Sequence, residues 1–262
     1  MSFAHATGIE RVGSTFSANI PDGWQQGRGA FGGLVLGTLV RAMEKQLGDP
    51  ARTLRSLSGD LCGPALVGPA SVEVTTLRTG KNLSNLDARL VQDGGVVARA
   101  SGVFSTARKV EPVPAVAEAN RIAVGDWKAI PPAPVGPPIA PVFAQHYEYR
   151  ATQPPFTGGK DPVVDGFVRL REAVRPMGAA EVVGLLDVWW PALFSVLTVP
   201  RKIATASFTA ELMRDPGAVD PEEPLYYRGR VIAEHEGFFV ELRELHAKDG
   251  LVALCQQTFV MI

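Results

Sequence analysis

The chain has 262 residues, a formal net charge of −1 and 46% apolar residues, enough for one large or two small cored domains. The near-neutral balance offers no basic stripe, so nucleic acid is not an expected partner. Cys62 and Cys255 lie far apart without CxxC spacing, which suggests neither a metal cage nor a disulfide framework and fits a reducing cytoplasm.

The opening residues Met1-Ser2-Phe3-Ala4-His5 lack the basic start and apolar run of a signal peptide. Residues 8–20 read as an opening hairpin, and Pro21-Asp22-Gly23 turns the chain. From Ala30 to Leu47, the residues Phe31, Leu34, Leu36, Leu39, Val40, Met43 and Leu47 recur at helical spacings. Gly32, Gly33 and Gly37 allow close packing, so this helix is expected to be buried over much of its surface. Strand-like runs follow at 72–77, 83–91 and 96–104. The character changes between Arg108 and Val142, where the proline run from Pro131 to Pro138 can enter neither a helix nor a central strand and reads as an ordered or semi-rigid linker. Strand patterns resume at 146–150 and 166–171. A helix is expected from about Ala179 to Leu197, then strands at 203–213, 225–233, 238–245 and 251–261. Val182 to Val199 is greasy enough to raise a membrane question, but Asp187 and Pro191 interrupt it, so a buried helix and no membrane span are expected.

The two halves end alike. Asp93-Gly94-Gly95-Val96-Val97-Ala98 with Phe104 matches Asp249-Gly250-Leu251-Val252-Ala253 with Phe259, the phenylalanine falling six residues after the alanine in each. A repeat of roughly 100 residues is too long for a solenoid unit and argues duplicated domains. The expected division is a first module at 1–107, a linker at 108–143 and a second module at 144–262. Each module is an α+β unit of one long helix and about five antiparallel strands.

Several chemistries lack support. Gly27-Arg28-Gly29-Ala30-Phe31-Gly32 matches GxGxxG, yet no buried strand precedes it and no acid follows at the right distance, so a dinucleotide site is not expected. No GxSxG elbow exists. His5, His146, His235 and His246 show no metal spacing, and no metal or cofactor is expected. Cys255 has no sequence neighbour that would activate it. The second module carries the stronger set. Asp187 sits in the apolar run Leu185-Leu186-Asp187-Val188-Trp189-Trp190-Pro191, either as a buried general base or as a brace near Pro191. Thr205, Ser207 and Thr209 are expected to share one strand face. Gln256 and Gln257 interrupt an apolar terminal strand. Aligning Ala98 with Ala253 sets Gly102 against Gln257, so the amide is either a functional group of one module or a cross-strand bond at the sheet rim.

Together these residues resemble the acyl-CoA thioesterase II family and its thioesterase-like relatives, which have a double hotdog fold. The resemblance rests on Gly29-Ala30-Phe31-Gly32-Gly33 before a helix, Arg78-Thr79-Gly80 turning into a strand, the acid at Asp187 followed by Pro191, Ile203-Ala204-Thr205 followed by Arg214, and Gln257. The chain departs from the family at Cys62-Gly63-Pro64 and at Ala210-Glu211-Leu212-Met213. The resemblance implies two tandem hotdog modules, each a long central helix wrapped by an antiparallel sheet, the first catalytically degenerate. It implies an acyl-CoA hydrolase of fatty acid metabolism in which Asp187 activates a water held by Thr205 and Gln257, with Ser207 as the alternative hydroxyl if the register differs by two. Backbone amides near Gly32-Gly33, or those of the second helix, would stabilise the oxyanion. Phe31, Gly32 and Gly33 would contact substrate, while Trp189, Trp190 and Phe194 are either acyl-tunnel walls or ordinary core. Open sheet edges imply a homo-oligomer. The rival function is a non-catalytic acyl-CoA-binding protein on the same fold.

Overall fold

The computed structural model describes residues 1–111, 113–119 and 122–262; residues 112, 120 and 121, within the expected linker, lie outside the described residues. A short helix α1 (Phe3–Ala6) leads into the hairpin of β1 (Ile9–Val12) and β2 (Thr15–Ile20). A two-strand ribbon of β3 (Gln25–Gln26) and β4 (Gly29–Ala30) delivers the chain to α2 (Gly32–Leu47). Strands β5 (Thr53–Leu61), β6 (Gly68–Thr79), β7 (Leu83–Gln92) and β8 (Gly95–Ser105) complete the first module, and α3 (Pro114–Ala119) lies in the linker. The second module runs β9 (Tyr147–Ala151), β10 (Val163–Leu170), α4 (Ala179–Asp187), β11 (Ile203–Leu212), β12 (Leu225–His235), β13 (Phe238–Ala247) and β14 (Gly250–Met261).

All the long strands join one 12-stranded antiparallel sheet in the order β1-β2-β6-β7-β8-β5-β11-β14-β13-β12-β10-β9. The second half of that order mirrors the first, as two copies of one unit joined edge to edge through β5 and β11 would give. The registers repeat as well. Leu54 pairs with Phe104 and Leu57 with Gly102 in the first module; Thr205 pairs with Phe259 and Phe208 with Gln257 in the second, each strand with a bulge between its two pairs.

The two helices differ more than the strands. Helix α2 spans 16 residues, starts at Phe31 and stops where Gly48 turns left-handed (φ 64°) and its N–H bonds the Glu44 carbonyl. Helix α4 spans only nine residues, so the expected helix to Leu197 is corrected. Its apolar composition continues past Asp187, but Pro191 has no N–H to donate and disfavours helical geometry at Trp190, so the chain leaves the helix and forms a separate 3-10 turn at Ala192–Ser195. The long central helix therefore belongs to the first module alone. The helices run antiparallel and very close. A methyl group on Gly33 would stand 3.0 Å from the Gly184 backbone, and one on Gly37 would stand 3.3 Å from the Ala180 carbonyl oxygen.

At the far end of this contact Arg41 bonds the buried Glu181 and donates to Thr7 Oγ1 at 2.6 Å. Burial pushes the nearby Glu44 carboxyl up to about 7, with Arg41 pulling it down and Glu181 adding to the rise. A carboxyl raised by folding holds its proton more tightly in the folded state. Its contribution to stability is full below the unfolded value and is lost as pH rises through the folded one. Glu44→Gln should therefore raise Tm by about 2–4 °C at about pH 8, with no gain at about pH 4, in paired thermal melts.

The sheet ends in β1 on one side and β9 on the other. Strand β1 has four residues, including Glu10 and Arg11. Against β9, the Ala133 amide of the proline-rich linker bonds the Tyr149 carbonyl at 2.7 Å, and Trp127 lies under the Arg150 guanidinium at 4.7 Å. No helix is long and apolar enough to cross a membrane among the described residues.

Candidate active site

Asp187 is the last residue of α4, so its side chain leaves the helix where the chain turns away toward Pro191. It points at the start of α2. Its Oδ2 accepts the Gly33 amide at 2.7 Å, and its Oδ1 accepts Gln257 Nε2 at 2.8 Å. The glycines at 32 and 33 make this approach possible. A methyl group on Gly32 would sit 2.8 Å from Asp187 Oδ2, and one on Gly33 would sit 2.5 Å from the Phe31 ring. Asp187 keeps 9% of its surface exposed and Gln257 none.

Gln257 lies on the inner face of β14, between Phe208 of β11 and Glu241 of β13. Its amide nitrogen is committed to Asp187, while its Oε1 is buried without a hydrogen-bond partner. Gln257 is therefore not a rim residue. Thr205 pairs with Phe259, two residues beyond Gln257 on the same face of β14, and no hydrogen bond joins it to Asp187 or Gln257. The expected shared face of Thr205, Ser207 and Thr209 is corrected here, because the bulge after Thr205 breaks the alternation and brings Thr205 alone to the face of Gln257. Ser207 instead pairs with Thr258 on one side and Asp60 on the other, on the opposite face.

Two charged residues that the sequence reading passed over lie beneath this pair. Glu241 and Arg243 are inward positions of β13, with 0% and 1% of their surfaces exposed. Arg243 Nε donates to Glu241 Oε1 at 3.2 Å, and its Nη1 donates to the Leu186 carbonyl at 3.3 Å. Arg243 Nη1 also comes to 3.7 Å from Asp187 Oδ1. Glu241 Oε2 in turn accepts the Ala192 amide at 3.0 Å, fixing the turn after Pro191. The signal was present in Phe239, Glu241, Arg243 and Leu245: a period-two run flanked by apolar residues that places both charges on the buried face.

Burial pushes the Asp187 carboxyl above its ordinary range, while Arg243, Gln257 and the Gly33 amide pull it back. Burial also raises Glu241 against the opposing pull of Arg243. The Cys255 thiol, fully buried nearby, is pushed well up and stays neutral. In the first module the registers put Leu54, Gly102, Leu86 and Ala88 where the second has Thr205, Gln257, Glu241 and Arg243. One half of the molecule is polar at its centre and the other is apolar.

The aromatic candidates divide. Phe31 is fully buried and stacks on Phe143 at 4.3 Å. Trp189 is packed flat on Tyr227 at 4.9 Å. Trp190 is partly buried, 5.0 Å from Trp189, and Phe194 meets Phe156 at 4.7 Å. The indole nitrogens of Trp189 and Trp190 and the Tyr227 hydroxyl are buried without hydrogen-bond partners. His146 stacks on Trp24 at 3.9 Å, away from this centre.

The site thus sits in one half of a mirrored 12-stranded sheet that packs against two helices, with a buried acid and amide at its centre. Residues 20–105 match the acyl-CoA thioesterase N-terminal domain and residues 123–261 match the acyl-CoA thioesterase C-terminal domain. The chain belongs to the acyl-CoA thioesterase family and is a thioester hydrolase with two tandem hotdog modules. It is similar to a protein of unknown function with a hot dog fold from Alicyclobacillus acidocaldarius, with 25% identity, TM-score 0.89 and coverage of 99% of this chain and 97% of that one. It is similar in fold to a candidate thioesterase II from Thermobifida fusca, with 21% identity, TM-score 0.84 and the same coverage. A third similar fold is the acyl-CoA thioesterase II TesB2 from Mycobacterium marinum, with 16% identity, TM-score 0.73 and coverage of 100% and 98%. No curated protein matches the sequence.

Proposed function

We propose that the chain hydrolyses an acyl-CoA thioester to the free acid and CoA, with Asp187 as general base and Gln257 and Thr205 holding the attacking water. The observation that carries this reading is the buried Asp187–Gln257 hydrogen bond, which leaves Gln257 Oε1 free as an acceptor. A water seated there gives one proton to Gln257 Oε1 as a hydrogen bond and the other to Asp187. Its oxygen bonds the thioester carbon, the carbonyl oxygen becomes an oxyanion, and collapse breaks the C–S bond. Asp187 then returns its proton to the departing thiolate. Proton transfer by a positioned base contributes about 10²–10⁴-fold.

The sequence favours the Gly32-Gly33 region for the oxyanion, with the amides of the second helix as the alternative. The Gly33 amide is already bonded to Asp187, so Gly32 N–H, which has no acceptor among the described residues, is the donor we assign. Trp190 and Phe194, partly exposed beside Pro191, are assigned to the acyl entrance, and Phe31 and Trp189 to the packing behind it. The free thiols at Cys62 and Cys255 support the cytoplasmic setting of this reading, and its place in fatty acid metabolism rests on the family alone.

Thiol release from an acyl-CoA panel tests it. Gln257→Leu and Thr205→Val should each lower kcat by about 10²-fold with KM little changed, since each removes a contact to the water and not to the substrate. A folded Thr205→Val at full rate, with Ser207→Ala slowed, would move the hydroxyl role to Ser207.

A further inference from the structure

We propose that Arg243, held by Glu241, is a positioning residue that fixes the orientation and charge of the Asp187 carboxylate; this rests on Asp187 being the base. Three observations support it. Arg243 is almost fully buried, so it is not a surface ion-pair residue, and its pairing with Glu241 commits two charges to the interior. Such pairs rarely stabilise a protein relative to apolar residues of similar size. The first module confirms that the fold does without them, because Leu86 and Ala88 occupy the matching register positions. The pair therefore calls for a reason other than stability.

Geometry supplies one. Arg243 Nη1 stands 3.7 Å from Asp187 Oδ1, close enough for strong attraction but beyond a hydrogen bond. Glu241 and the Leu186 carbonyl hold the guanidinium at that distance. Arg243 thus favours the ionised carboxylate without occupying the lone pair that must receive the proton from water. Without Glu241, the guanidinium would be free to close on Asp187 and occupy that lone pair.

The groups facing Asp187 from the packed elements are few. Strand β13 offers Arg243 and Glu241, β12 offers Tyr227, β9 offers Tyr147 and Tyr149, β14 offers Cys255 and Gln257, and α2 offers the Gly33 amide. Burial keeps the three phenols and the thiol neutral. Arg243 is the cation among them.

The test is the pH profile of kcat/KM for acyl-CoA hydrolysis in wild type, Arg243→Met, Glu241→Gln and the double variant Glu241→Leu/Arg243→Met. The double variant imitates the apolar first module and guards against misfolding from a lone buried charge. Loss of the cation should move the acid limb up by about one to three pH units in Arg243→Met, and by less in the double variant, where the repulsion from Glu241 is lost as well. KM should stay near wild type, because the buried Arg243 has no route to CoA. Glu241→Gln should move the limb down and lower kcat, as the released guanidinium closes on the carboxylate. Arg243→Lys should restore part of the limb position. An unmoved acid limb in a folded, active double variant overturns the proposal. Asp187→Asn separates the two failures: if it stays active, the base is elsewhere, whereas an inactive Asp187→Asn with an unmoved limb defeats the Arg243 role alone.

Discussion

Asp187→Asn should lower kcat by about 10²–10⁴-fold while the protein remains folded, the full contribution expected of a general base. Asparagine keeps the shape and can still accept the Gly33 amide, but it cannot take a proton from water. The stability outcome runs the other way from that of most buried-charge mutations. The Asp187 carboxyl is raised by folding, chiefly through burial. Its favourable contribution is present below the unfolded value and is lost as pH rises through the folded one, so at neutral pH the ionised group costs stability. The variant should therefore melt no lower than wild type at about pH 8, and should lose that advantage as the pH falls toward 4. Thiol release and melting curves on the same preparations check both halves. A variant that is inactive only because it has unfolded would contradict the reading.

The second large effect is expected at Gly33→Ala. The added methyl group would meet the Phe31 ring at 2.5 Å and the Gly184 backbone at 3.0 Å. The ring is itself locked between Phe143 and Trp24, and the backbone of a packed helix cannot yield, so the helices must separate. Overpacking of this kind costs about 1–3 kcal/mol, and for a chain of this size each kcal/mol lowers Tm by about 2–4 °C. Activity should fall further than stability does, because the displaced amide is the one that orients Asp187. Circular dichroism melts and kcat measured well below the new Tm separate the two losses. Wild-type kcat in a destabilised Gly33→Ala protein would show that the amide is dispensable.

Much of the fold was legible because its signals are local. The Asp-Gly turns before β8 and β14, the matched alanines and phenylalanines, and the proline run each declare themselves within a few residues. Strand β5 did not, since Thr53 to Leu61 carries few large apolar residues; its bulge breaks the alternation, and Gly59 is small because Leu36 presses within 2.7 Å of its missing methyl. The end of α4 was hidden by composition: Val188, Trp189 and Trp190 are as apolar as the helix they follow, and only Pro191 marks the break. At the site, Asp187 and Gln257 were visible as polar residues in apolar runs. That the Gly33 amide is consumed by Asp187 was not, because it depends on how two helices about 150 residues apart cross.

The Gly33–Asp187 bond joins the two halves of a duplicated chain. Copies that have parted in role are ordinarily free to drift, the silent one most of all. Here the half whose centre is apolar still lends the donor that orients the acid, and it leaves bare the backbone against which that acid rests. With Asp187 as the proposed base, the reaction centre is assembled from both halves, and neither half expressed alone would hold a complete one.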